Sequence, residues 1–120
     1  IVDGAVVGEG WNQPIATSDP TAHAEIVAMR AAARHVKNYR LSGATLVVTV
    51  EPCLMCVGAM VHARIGTVVY GTTEPRAGAL GSAIAAHDTP GLNHRLTAVG
   101  GVLADECRAL IQTFFKERRA

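Results

Sequence analysis

The sequence predicts an α/β sandwich formed by one domain over residues 1–120. Three observations lead to that class. Segments dense in β-branched residues alternate with segments whose apolar residues recur at helical spacing. The stretch ATLVVTV, residues 44–50, has the composition of a buried central strand. A chain of 120 residues that is 49% apolar can bury one core without disulfide staples.

Taken in order, IVDGAVVGEG reads as a hairpin turning at Asp3-Gly4, with a strand over Ala5 to Gly10. Only Ile1 and Val2 precede the turn and no initiator Met is present, so the natural chain is expected to begin further upstream. Trp11 to Thr21 is a loop rich in Asn, Pro, Ser and Asp. Asp19-Pro20 signals a helix start, continued by Ile26, Met29 and Ala33 at helical spacing, with Arg30 and Arg34 on another face. After the 44–50 strand, Pro52 opens a second helix running to about Ala63. TVVYG is a further strand, and GALGSAIAAHDTPGLNHR holds a short helix and a loop broken by Gly and Pro. LTAVGGVL is a weaker strand. The last helix sets Cys107, Leu110, Ile111 and Phe114 at i, i+3, i+4 and i+7, an apolar stripe on which Cys107 reads as a core thiol and Phe114 as core.

The formal charge is only +1, so a partner as acidic as nucleic acid has to be met by local basic patches and not by a global field. The chain has three cysteines, and Cys53 and Cys56 are close neighbours. An odd count without a secretory apolar segment favours a reducing, cytoplasmic setting over a disulfide framework. No apolar run approaches the length of a membrane span.

EPCLMC carries the chemistry. Cys53 and Cys56 share one face of the first turn of a helix, where the dipole and free N–H groups favour thiolates. Taken alone, the pair reads equally as a redox couple, as half of a structural zinc site or as part of a catalytic one. His23, also near a helix start, adds a third ligand and leaves zinc one open position, the catalytic arrangement. Candidates for a closing fourth ligand are poor: His62 lies at least two turns along the cysteine helix, and His35, His87 and His94 have no spacing that singles them out.

Glu25 raises a geometric question, because residues two apart on a helix project about 200° from each other. A site beside the helix barrel cannot receive both His23 and Glu25, but a site over the end of the helix axis can. The metal is therefore expected in front of two helix N-termini, with Glu25 serving a metal-bound water as acid and base instead of binding the metal.

H-x-E followed by P-C-x-x-C resembles the signature of the zinc-dependent deaminases. Beyond it, GEGWNQPI, DPTAHAEI, NYRL, EPCLMCVGAM, RIGTVVYG, GALGS, PGLNHR, LADEC and FFKERR resemble, in order and spacing, the bacterial tRNA-specific adenosine deaminase family across essentially the whole chain. The resemblance implies a cytidine-deaminase-like three-layer α/β/α sandwich with a five-stranded mixed sheet, the amino-terminal helix and most of the first strand being absent here. It implies one zinc per subunit on His23, Cys53 and Cys56, a homodimer, and conversion of adenosine to inosine at the wobble position in the anticodon loop of a tRNA, an arginine tRNA being expected.

By position, Asn12 matches the residue that hydrogen-bonds the flipped base, Ala24 lies between ligand and acid, and Pro52 borders the pocket. Glu74 stands where the family commonly has an aspartate that contacts the RNA backbone, and EPRAG departs from the family pattern after that point. Lys116, Arg118 and Arg119 form the densest basic group and are the first choice for phosphate contacts. Phe115, just off the apolar stripe, and Asn93, His94 and Arg95 are further candidates for RNA. Arg30, Arg34 and Lys37 read as a solvated helix face. Two other functions are a deaminase of free bases or nucleosides, which shares the signature, and a catalytically silent zinc protein that binds RNA, for which the acid is expected to be lost whereas Glu25 is present. A redox CxxC protein leaves His23 and Glu25 without a role.

Overall fold

The computed structural model describes the backbone of residues 1–119 and the side chains of residues 1–117. In chain order it contains α1 (Pro14–Thr17), α2 (Ala24–Val36), β1 (Thr45–Val50), α3 (Leu54–His62), β2 (Thr67–Thr72), a 3-10 turn (Ala86–Asp88), β3 (Thr97–Val99) and α4 (Ala104–Arg119). Among the described residues the sheet has three strands in the order β1-β2-β3, all parallel, with Thr45 opposite Thr67 and Val68 opposite Ala98. Parallel neighbours need crossovers, which α3 supplies between β1 and β2.

Alternation along the strands decides the layers. Leu46, Val68 and Tyr70 join Ile26 and Met29 of α2 and Cys56, Val57 and Met60 of α3 in one buried cluster. On the other face α4 closes down over Gly71, where a Cβ would collide with Cys107 Sγ and lie 2.7 Å from the Thr49 carbonyl oxygen. Only a residue without a side chain admits the helix at that distance. The α/β sandwich expected from the alternation is thereby realised.

Several elements differ from their sequence reading. The turn at Asp3-Gly4 forms, with φ of 49° and 79° and paired hydrogen bonds between Val2 and Ala5, but Ala5 to Gly10 does not continue as a strand. A strand needs a hydrogen-bonded neighbour, and this segment instead lies on α2 through Gly8 and Gly10, whose added Cβ atoms would sit within 2.6 Å of helix carbonyl oxygens. The mixed character expected of the sheet is accordingly confined to isolated antiparallel bridges, Val2 with Ala5 and Leu80 with Ala85.

Without that strand, β1 is an edge and not a central strand, with Val47 61% exposed, and the buried central position falls to β2. A cavity of about 410 Å³ is lined by β1, one side of α2 and the 6–10 segment. The loop expected from Trp11 to Thr21 contains the single turn α1.

The helix signalled at Asp19-Pro20 is α2, which begins later, at Ala24. Asp19 folds its carboxylate onto the amide (2.8 Å) and hydroxyl (2.7 Å) of Thr21, making a local turn before the helix. In α4, Cys107 and Ile111 are half-buried whereas Leu110 and Phe114 are exposed, so Phe114 is not core. Among the described residues the sheet beneath is three strands wide.

Candidate metal centre and active site

His23 is the N-cap of α2 and Cys53 the N-cap of α3, each with extended backbone, so both side chains project ahead of a helix end. Cys56 follows one turn later, fully buried. His23 Nδ1 lies 3.6 Å from Cys53 Sγ and 3.6 Å from Cys56 Sγ, and the three ligand atoms fall within 4.8 Å of one another. Tetrahedral zinc with bonds of about 2.3 Å to sulfur and about 2.0 Å to nitrogen calls for an N···S separation of about 3.5 Å. The donor set therefore fits zinc. Among the described residues no fourth His, Cys or carboxylate joins the cluster.

Glu25, in the first turn of α2, is 8% exposed. It sits against Cys56: burial first, then the Glu25 carboxylate, then Cys53 push that thiol above its ordinary range. Two sulfurs and a carboxylate packed this closely repel one another as anions, and a divalent cation among them relieves the repulsion. His23 at the N-cap and Glu25 in the first turn of α2 both lie against Cys56.

Asn12 is held to the same place. Its Oδ1 accepts the Ala24 N–H at 2.8 Å, tying the loop to the residue between ligand and acid and leaving the Asn12 amide NH₂ as a donor. Pro52 is buried, and its carbonyl accepts the Ala79 N–H at 2.8 Å. Glu74 is linked to the site through Glu51, which accepts the Glu74 N–H at 3.1 Å.

Sequence reasoning passes over Glu51. This residue is 4% exposed and also accepts the N–H groups of Leu80 (3.0 Å) and Ser82 (3.1 Å) and the Ser82 hydroxyl. Desolvation pushes its carboxyl upward, but the Ser82 hydroxyl and the three amides outweigh it and hold it below the usual range. Its place directly after a β-branched strand is the one mark it carries in the sequence, and that mark names no partner.

The expected RNA-facing residues are dispersed. Asn93 and Arg95 are exposed but bonded internally, Asn93 Oδ1 to Arg64 (3.1 Å) and Arg95 to the His87 carbonyl oxygen (3.2 Å). His94 Nε2 is committed to the Ile65 carbonyl oxygen at 2.8 Å. Phe115 and Lys116 are exposed on α4, and the side chains of Arg118 and Arg119 lie outside the described residues. Arg34 and Lys37 are exposed as a solvated face, while Arg30 pairs with Asp19 at 3.2 Å.

Three protein ligands and a neighbouring acid around one open position are the equipment of a hydrolytic zinc enzyme, not of a structural zinc site. A family model, the cytidine and deoxycytidylate deaminase zinc-binding region, matches residues 1–72. The tRNA-specific adenosine deaminase of Haemophilus influenzae is 50% identical over 121 residues, covering 99% of this chain and 70% of that protein. The tRNA-specific adenosine deaminase of Buchnera aphidicola is 39% identical, covering 99% and 74%. A solved structure from work on A-to-I editing by tRNA deaminases at the wobble position of transfer RNA superposes with a TM-score of 0.88 at 35% identity, covering 92% of this chain and 80% of that one. The chain belongs to the cytidine and deoxycytidylate deaminase family and, within it, groups with the tRNA-specific adenosine deaminases.

Proposed function

We propose that this protein hydrolyses adenosine to inosine and ammonia at the wobble position of a tRNA anticodon loop, an arginine tRNA being the substrate. The observation that carries the reading is the His23, Cys53, Cys56 cluster at two helix ends with Glu25 buried against it. His23 Nδ1, Cys53 Sγ and Cys56 Sγ hold the zinc. When bound, the metal supplies the Lewis acidity that makes a water nucleophilic near neutral pH. Glu25 takes a proton from the attacking water and delivers it to the ring nitrogen beside the amidine carbon. It then takes the remaining proton of the added hydroxyl and passes it to the exocyclic amine, which leaves as ammonia as the C–N bond breaks and the carbonyl forms. One carboxylate serves both transfers because it is buried at the mouth of the ligand cluster.

Asn12 recognises the base. With its oxygen occupied by Ala24, its NH₂ faces a base as a donor, which suits the ring-nitrogen acceptors of adenine. Ala24 and Pro52 wall the pocket, and Glu74 meets the RNA backbone. Lys116, Arg118 and Arg119, with Phe115, supply further RNA contacts, and Asn93, His94 and Arg95 are additional candidates. A loop nucleotide suits such a site because an unstacked base costs less to flip. The enzyme acts as a homodimer in the cytoplasm, residues 1–120 forming one deaminase domain in each subunit. Among the described residues no helix is long and apolar enough to cross a membrane.

The test is inosine formation by the zinc-loaded protein on an unmodified arginine tRNA bearing adenosine at the wobble position. Inosine at that position is the expected product. A folded, zinc-loaded protein that leaves the adenosine intact while deaminating free bases or nucleosides overturns the RNA reading.

A further inference from the structure

Glu51 directly follows β1, two residues before the Cys53 ligand, and the four groups that donate to its carboxylate all belong to the segment from Glu74 to Ser82. Three of them are backbone amides, which a carboxylate can satisfy together because its two oxygens only accept. The loop is moulded to the carboxyl group: a Cβ on Gly78 would lie 2.5 Å from Glu51 Oε1 and 2.5 Å from the Glu74 carbonyl oxygen. Next to it, the Ala79 N–H bonds the Pro52 carbonyl, and Ala79 and Leu80 are buried in the core. The 74–82 segment has no helix or strand of its own, so this carboxylate does what a ladder would otherwise do. It joins the loop that carries Glu74 to the turn that carries a metal ligand.

We propose that Glu51 is a positioning residue for RNA binding: by clamping the 74–82 loop beside Cys53 it presents Glu74 to the nucleic acid, although Glu51 itself touches no substrate. This role rests on the tRNA deaminase function proposed above. A group that acts only through the loop should change substrate affinity more than the chemical step, whereas a group supporting the metal turn should change zinc content or kcat.

Glu51→Gln keeps one acceptor oxygen but turns an NH₂ toward amides that also donate. In this variant, zinc stoichiometry should stay at the parent level. KM for an anticodon stem-loop bearing adenosine should rise about tenfold while kcat moves much less. Adding Glu74→Ala should deepen the loss little, because both substitutions remove one interaction. Ser82→Ala, which deletes a single donor, should give a smaller rise in KM and covers the case in which Glu51→Gln fails to fold.

Hydrogen exchange on the same proteins should show the amides of Glu74, Leu80 and Ser82 protected in the parent and released in Glu51→Gln. Loss of zinc, a fall in kcat at constant KM, additive effects of Glu51→Gln and Glu74→Ala, or unchanged amide protection would each overturn the proposal. A parent protein that makes no inosine from the stem-loop overturns the functional reading and the RNA half of this one, while the exchange measurement decides the clamp by itself.

Discussion

At the scale of single residues, the site works by placing side chains at helix termini, where two residues of opposite phase can meet. Glu25 lies outside the ligand set, so Glu25→Ala should keep its zinc, read by metal analysis, while inosine formation falls by about 10²- to 10⁴-fold; loss of the metal in that variant would make Glu25 a ligand. Asp19 shapes the approach to His23. The Thr21 hydroxyl first, then the Thr21 amide and Arg30, hold its carboxyl below the usual range. A lowered folded pKa contributes stability above the unfolded value and loses it as pH falls through the folded one. Asp19→Asn should therefore narrow the gap in melting temperature between neutral and acid pH, and an unchanged gap would show that the turn is indifferent to that charge.

The elements owe their arrangement to close approaches that only small residues allow. Gly71 admits α4 to the sheet, and a Cβ there meets the Cys107 sulfur and the Thr49 backbone together. Gly71→Ala should destabilise the protein by about 1–3 kcal/mol in urea unfolding, the usual cost of overpacking. Wild-type stability in that variant would mean that α4 shifts freely. Met60 at the centre of the cluster is fully buried, and Met60→Ala should cost about 2–5 kcal/mol by the same measurement. Both effects belong to packing and should leave the His23, Cys53, Cys56 cluster able to bind zinc in the folded fraction.

For the whole molecule, a formal charge of +1 leaves RNA affinity to local groups. Replacing Lys116, Arg118 and Arg119 together by alanine should weaken stem-loop binding. It should also flatten the slope of log affinity against log salt by roughly 0.7 for each phosphate no longer neutralised; an unchanged slope removes the end of α4 from the interface. The exposed Phe114 and Phe115, stacked edge-to-face at 5.5 Å, accompany that basic end.

The sequence alone was enough for the α/β class, for β1, α3 and β2 to within a residue or two, and for the three donor side chains that cluster. Those features are local: β-branched density, helical spacing, and donor types at helix starts, each readable without a partner. Tertiary structure decided the rest because it depends on contacts between distant segments. Ala5 to Gly10 has a strand's composition but packs on α2 as irregular chain, which turns β1 from a central strand into an edge. Phe114 keeps the phase of a core residue, yet the narrow sheet leaves it exposed. Glu51 shows the limit most clearly, since a carboxylate has no role in the sequence until the fold brings the amides of residues 74, 80 and 82 around it.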